Sequence, residues 1–373
     1  MNSTVASRVR VEVDLEAIRR NFLIAVGCLG ACKPIAVLKA NAYGLGVERI
    51  APVLKEAGAV GFAAAELKEA LSMLQYNLPV RILGNLLPAE IAPAVANGIQ
   101  ITVTDLQMAK RIEAECARQQ RQANVQIAID SGMGRLGMIA EYAIPEILEI
   151  AKLKHLHLQG IFSHCPAATD RNVPFTQKQV QKMVRLINAL ATEGIHFEEV
   201  HMAASDGINN YPEMLQKPFN LGRIGFSLYG YYDNEIQKEL GYQPAVAVRS
   251  TLVAVRTLPA GYTIGYGRTY TLSQPARIGT IAGGYADGLP LALSNRGSVL
   301  IRGKICPIVG RISMDYATVL LDQVPDAEYG DEVTLLGKQG EAEITPDSWG
   351  RLKSSHAYDI LCALGPRCDR IYL

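Results

Sequence analysis

The sequence predicts an α/β protein built as a (β/α)8 TIM barrel followed by a mostly β C-terminal domain. Three observations carry that expectation. From residue 34 to about 225, eight short apolar runs alternate with segments of helical period. After Tyr231 the helical period fades, and β-branched runs bounded by Gly and Pro take over. Unusual polar residues recur at the C-terminal ends of successive runs, where barrels of this kind gather their chemistry.

In chain order, Val9-Arg10-Val11-Glu12-Val13 alternates like a strand and precedes a helix starting at Asp14. It lies outside the barrel count and is a candidate partner for the later domain. Barrel strands are expected at 34–38, 59–64, 80–83, 99–103, 125–130, 156–162, 198–203 and 219–224, each separated by enough chain for a crossover helix. Pro88 to Asn97, then Gly98, has proline near a helix start and glycine past its end. Asp105 caps the next helix, and Thr176 to Glu193 closes at Gly194. Eight such units satisfy a closed barrel, and the spacing alone equally fits an open doubly wound sheet. Runs at 245–248, 251–255, 277–281, 299–301 and 333–336 then build the β domain. The expected division is a barrel at 1–235 and a β-rich domain at 236–373, with no internal repeat.

Composition narrows the function classes. At 373 residues and 49% hydrophobic, the chain buries a large core. Lys+Arg (37) nearly cancels Asp+Glu (36), so no net charge draws it to nucleic acid or an anionic membrane, and small molecules are the expected partners. The opening Met1 to Arg8 shows no signal pattern and no run of 18 apolar residues follows, so no membrane span is expected. Seven scattered cysteines fit a reducing, cytoplasmic setting. Cys28 and Cys32 lack a matching Cys or His pair, so no metal site is expected.

The chemistry starts at Lys39, which ends the apolar run Ala36-Val37-Leu38 and precedes Ala40-Asn41-Ala42-Tyr43-Gly44-Leu45-Gly46. An amine at a strand mouth, in partly apolar surroundings, loses its charge more readily, and only the neutral amine attacks a carbonyl. Arg135 follows the fifth strand in Asp130-Ser131-Gly132-Met133-Gly134-Arg135, and His164 follows the sixth. His201 lies in the seventh, with Ser205 after it, and Arg223 and Gly225 end the eighth. Ser205, Gly225 and the amide of Phe226 fall in the loops after strands seven and eight, the common phosphate site of such barrels. Ser205 also reads as a helix cap, since Ser205-Asp206-Gly207 looks like a helix entry. A lysine plus a phosphate site points to pyridoxal 5′-phosphate, whose aldehyde forms an imine with lysine.

These residues, in this order, resemble the alanine racemase family, the barrel-plus-β-domain (fold type III) class of pyridoxal phosphate enzymes. The likeness runs nearly end to end. It is carried by Ala36 to Gly46, Leu221-Gly222-Arg223-Ile224-Gly225 with Tyr229-Gly230, and Gly265-Tyr266-Gly267. Further blocks are Gly284 to Gly288, Pro307 to Arg311 with Met314-Asp315, and Tyr358-Asp359-Ile360. The resemblance implies that Lys39 holds the cofactor and works as acid and base on the D side of the substrate, with Tyr266 opposite. It implies Arg223 at the pyridine nitrogen, and Tyr43, Ser205, Gly225, Phe226 and Tyr358 at the phosphate. Arg135 and the backbone of Met314 would meet the substrate, and His164 would pack on the ring. Tyr266 and Met314 would come from a second subunit, giving a head-to-tail homodimer with shared active sites.

The implied activity is racemisation of an amino acid, L-alanine to D-alanine for peptidoglycan first among them. A serine or broad-specificity racemase, a related decarboxylase and a non-enzymatic pyridoxal phosphate carrier are the alternatives. Departures from the family pattern bear on the substrate. Ala128 stands where many members have a lysine that supports the arginine equivalent to Arg135. Ala204 replaces an asparagine, Leu45 a histidine, Leu291 an arginine and Ser313 a cysteine.

Overall fold

A computed structural model of the chain describes residues 7–231 and 239–373. Residues 1–6 and the expected domain boundary at 235/236 lie outside the described residues. After β1 (Arg10–Val13) come β2 (Lys33–Val37), β3 (Gly61–Ala64), β4 (Val80–Ile82), β5 (Ile101–Val103) and β6 (Ala123–Asp130). A two-residue β7 (Met138–Ile139) precedes β8 (Leu156–Phe162), β9 (Glu199–His201) and β10 (Leu221–Ile224).

Eight of these strands, β2 to β6 and β8 to β10, pair in parallel in the order β4-β3-β2-β10-β9-β8-β6-β5. The ring closes between β4 and β5 through Ile82 N to Gln100 O and Gln100 N to Val80 O, both 3.0 Å. The barrel is therefore closed, and the open-sheet alternative falls. Alternation along each strand turns Ala36, Val125, Ile127 and Ile224 into the core shared with the outer helices. Ile35, Val37, Ala63 and Leu221 form a separate cluster. The helix Leu106–Gln119 starts where Asp105 Oδ1 accepts from Met108 N at 2.7 Å. The long helix runs Pro174–Thr192, two residues earlier than expected, because Pro174 supplies a preset first turn.

The second domain continues with β11 (Val246–Leu258), β12 (Thr263–Ile264), β13 (Tyr270–Thr271), β14 (Ala276–Ala282), β15 (Ser298–Ile301) and β16 (Lys304–Pro307). β17 (Tyr316–Leu320), β18 (Glu332–Gln339), β19 (Ala342–Ile344) and β20 (Asp369–Tyr372) complete it. The runs expected at 245–248 and 251–255 are one strand, β11. Arg249 and Ser250 continue it, with register shifts against β18 and β14 absorbing the irregularity. β1 lies between β11, antiparallel, and β20, parallel, so the start of the chain is stitched into the second sheet. Two short helices there, Pro346–Lys353 and Ala357–Cys362, were not expected, since six to eight residues are too few to show a helical period. The second of them carries Tyr358.

Candidate active site

The C-terminal end of the barrel opens into a cavity of about 710 Å³ lined by Lys39, Tyr43, Arg135, His164, Ser205, Arg223, Gly225, Phe226 and Tyr358, together with Cys165 and His356. Tyr266 and Met314 are not part of its lining. They are 69% and 52% exposed on loops of the second domain.

Lys39 is followed by an unusual backbone. Ala40, Asn41, Ala42 and Tyr43 all have positive φ, between 52° and 58°, and so form one turn of left-handed helix. Each non-glycine residue in that region costs roughly 1–2 kcal/mol, and the surroundings must hold the turn in place. Tyr229 Oη donates to Ala42 O at 2.9 Å, and Asn41 Oδ1 accepts from Val47 N at 2.9 Å. Arg370 Nε donates to Gly44 O and Tyr372 Oη to Leu45 O, both 3.0 Å, so β20 braces the turn across the domains. The result aims Tyr43 at β10, where a Cβ on Gly225 would lie 2.8 Å from Tyr43 Oη. Glycine keeps that cradle open.

Ser205 opens the helix Ser205–Asn210, and its Oγ accepts from Gly225 N at 3.1 Å and Ser227 Oγ at 3.1 Å. The N-cap of this helix is Ala204 and no side chain caps it, so Ser205 is its first residue and not its cap, and its hydroxyl is turned to the Gly225 segment instead. Phe226 and Tyr358 stack with centroids 3.6 Å apart beside it.

Arg223 is 4% exposed. Its guanidinium donates to Ser163 O and Met202 O at 2.9 Å each and to His201 Nδ1 at 2.6 Å, with His164 Nδ1 at 3.5 Å. Among the described residues it has no carboxylate partner, so one buried cation faces the cavity uncompensated. Burial and the Arg223 charge pull His164 down to about 3, leaving it neutral and unable to act as an acid near neutrality. Burial, then the Arg135 charge, lowers the Lys39 ammonium, which favours the free amine. Cys165 is pushed up to about 12 by burial and is no nucleophile.

Arg135 sits on a loop organised by Asp130, whose carboxylate accepts from the amides of Gly132, Met133 and Gly134 at 2.8 Å each. The Arg135 guanidinium itself has no partner among the described residues, and Ala128 is a buried methyl group.

Sequence reasoning passed over three features. Glu69 accepts from the amides of Ala40 and Ala65 and so joins two strand ends. His201 was noted without a role, yet it holds Arg223. Below it, Gln126, Glu199 and Arg81 fill the barrel interior with polar groups.

Two family models match the chain, described as alanine racemase, N-terminal domain, over residues 13–233, and alanine racemase, C-terminal domain, over residues 245–372. Alanine racemase 2 of Caldanaerobacter subterraneus subsp. tengcongensis is 34% identical over 371 residues, covering 98% of this chain and 94% of its own. The crystal structure of alanine racemase from D-cycloserine-producing Streptomyces lavendulae superposes with a TM-score of 0.92 at 30% identity, over 99% of this chain and 98% of its own. That of Bartonella henselae, which has covalently bound pyridoxal phosphate, superposes at 0.88 and 28% identity, over 99% and 100%. Fold, two-domain order and end-to-end identity agree, and the chain belongs to the alanine racemase family of isomerases.

Proposed function

We propose that the chain is a pyridoxal 5′-phosphate-dependent racemase that interconverts L- and D-alanine. One observation carries this reading: a lysine with a lowered pKa, an uncompensated buried guanidinium and a glycine-opened hydroxyl cradle share one cavity. The residues fit the cofactor. Ser205 Oγ, Tyr43 Oη and the amides after Gly225 would hold the phosphate, Arg223 the pyridine nitrogen, Lys39 the aldehyde carbon, and His164 would pack on the ring. When bound, the cofactor supplies an aldehyde for amine exchange and a ring that accepts electrons from the α-carbon.

The chain's own groups do the rest. Lys39 removes or returns the α-proton on one face, and Tyr266 of a second copy does so on the other. Two bases are needed because one base tends to return the proton to the side it left. Arg223 keeps its proton, so it would donate to the pyridine nitrogen without protonating it and would moderate the ring's electron demand. Arg135 pairs with the substrate carboxylate, and the Met314 backbone of the second copy closes the pocket.

The dimer reading is supported by exposed apolar groups of the second domain, Tyr266, Tyr285, Met314 and Tyr316, with Tyr285 N bonded to Ser313 O at 3.0 Å. Supply of D-alanine for peptidoglycan in the cytoplasm belongs to the same reading. Arg135, unpartnered among the described residues, favours a second reading, a racemase of serine or of broad specificity, because the carboxylate anchor lacks support.

A substrate panel tests both. Purified protein with pyridoxal 5′-phosphate is incubated with single L-amino acids and assayed for D-isomers and CO2. D-alanine from L-alanine, faster than any other product, is expected. Comparable rates on L-serine favour the second reading, and CO2 without a D-isomer contradicts both.

A further inference from the structure

The helix Leu67–Met73 follows β3, and Glu69 lies in its first turn. Its Oε2 accepts from Ala65 N at 2.9 Å, a local helix-start contact. Its Oε1 reaches across to the neighbouring strand end and accepts from Ala40 N. Ala40 directly follows Lys39 and is the first of the four left-handed residues. The other side-chain bonds to the turn hold Ala42 O, Gly44 O, Leu45 O and Val47 N, all later in the segment. Glu69 therefore holds the point where the chain changes hand.

We infer that Glu69 is the positioning residue for Lys39, clamping the Lys39–Ala40 peptide at the start of the left-handed turn. The inference rests on the proposed function only in taking Lys39 as the working amine. A relaxed turn would carry Lys39 and Tyr43 in different directions, because they sit at its two ends. The clamp also bears a charge. Burial, then Arg135 and Arg223, lower the Lys39 ammonium, while Cys362 and Glu69 oppose them. Glu69 thus limits how far the lysine is discharged before its partner arrives.

A plain helix-capping role would lower thermal stability and leave Lys39 untouched. Glu69→Gln and Glu69→Ala in cofactor-free protein separate the two. Gln keeps one acceptor oxygen and removes the charge, and Ala removes both contacts. Hydrogen exchange of a peptide spanning residues 39–46 is followed by mass spectrometry. The pH midpoint of Lys39 modification by formaldehyde and cyanoborohydride is read from the same samples. The expected result is exchange roughly tenfold or more faster over 39–46 in Glu69→Ala, since a charge-assisted bond is lost. Glu69→Gln should fall between the two in exchange, with its Lys39 midpoint at lower pH than in the native protein. Native exchange over 39–46 and a native midpoint in a protein of lower Tm would overturn the inference and leave Glu69 a helix cap. These readings need no cofactor, so a protein that fails to racemise alanine refutes the proposed function without touching them.

Discussion

Arg223 donates to Nδ1 of His201 across 2.6 Å, and that single contact dictates the protonation of the histidine. A guanidinium can only donate, so Nδ1 must be bare and the ring proton must sit on Nε2. From there the order continues downward. His201 Nε2 donates to Gln126 Oε1 at 2.8 Å, and Gln126 Nε2 donates to Glu199, whose carboxylate lies 3.3 Å from Arg81. Donor-only Arg223 and acceptor-only Glu199 fix every role between them.

His201 should therefore be a single neutral tautomer. Burial, then the Arg223 charge, lowers its pKa well below the ordinary histidine range. In 15N spectra of histidine-labelled protein, assigned with a His201 variant, its Nε2–H signal should not titrate between about pH 5.5 and 8.5. Titration near the ordinary value of about 6.5, or a proton on Nδ1, contradicts the assignment.

Gly225→Ala should weaken the cofactor cradle by crowding it. A Cβ at Gly225 would lie 2.8 Å from Tyr43 Oη and 3.5 Å from Val37 Cβ. Overpacking of this kind costs about 1–3 kcal/mol, or roughly five- to 150-fold in pyridoxal phosphate affinity. Fluorescence titration measures it, and Tyr43→Phe combined with Gly225→Ala should recover part of the loss. An unchanged Kd in Gly225→Ala sinks the prediction.

Arg370→Ala should loosen the junction between the domains. The guanidinium donates to Gly44 O, Leu364 O, Gly365 O and Cys368 O at 2.7–3.0 Å, and alanine leaves four carbonyls without it. A loss of about 2–4 kcal/mol is expected in urea denaturation. A change below about 0.5 kcal/mol, the level of an ordinary surface substitution, would show that the brace carries nothing.

Acid should destabilise the cofactor-free protein early. His164 falls to about 3 in the folded chain and His201 falls as well, while unfolded histidine titrates near 6.5. The unfolded state then binds more protons below about pH 6.5, so stability is full above that value and is lost as pH falls toward about 3. Urea midpoints at pH 7.5 and pH 5 check the sign, and a higher midpoint at pH 5 contradicts it.

Much of the fold could be read from the letters because its signal is local. The eight apolar runs needed only their own β-branched residues and the caps between them, as at Asp105. Lys39, Arg135 and Arg223 stood out because a charge at the end of a buried strand is unusual. The left-handed turn was hidden, since Ala, Asn and Tyr carry no mark of positive φ and only Gly44 and Gly46 hint at it. Arg81, Gln126 and Glu199 were hidden for another reason. A polar letter in a strand does not say which way it points, and their meeting depends on pairing across the closed barrel, with Gly160 leaving the space that Gln126 fills. Tyr266 and Met314 rested on family likeness alone, because nothing near them in sequence says which cavity they serve.

The central claim is that Lys39 of one protomer and Tyr266 of the other serve the same substrate carbon. Lys39→Ala and Tyr266→Phe, each inactive alone, should be mixed, dissociated and reassembled, then assayed for racemisation. In a two-fold dimer with shared sites, each mixed dimer contains one fully native site, and about a quarter of native activity should return. No recovery from verified mixed dimers would contradict the account, because it would mean that both groups belong to one chain's site or that they do not act together.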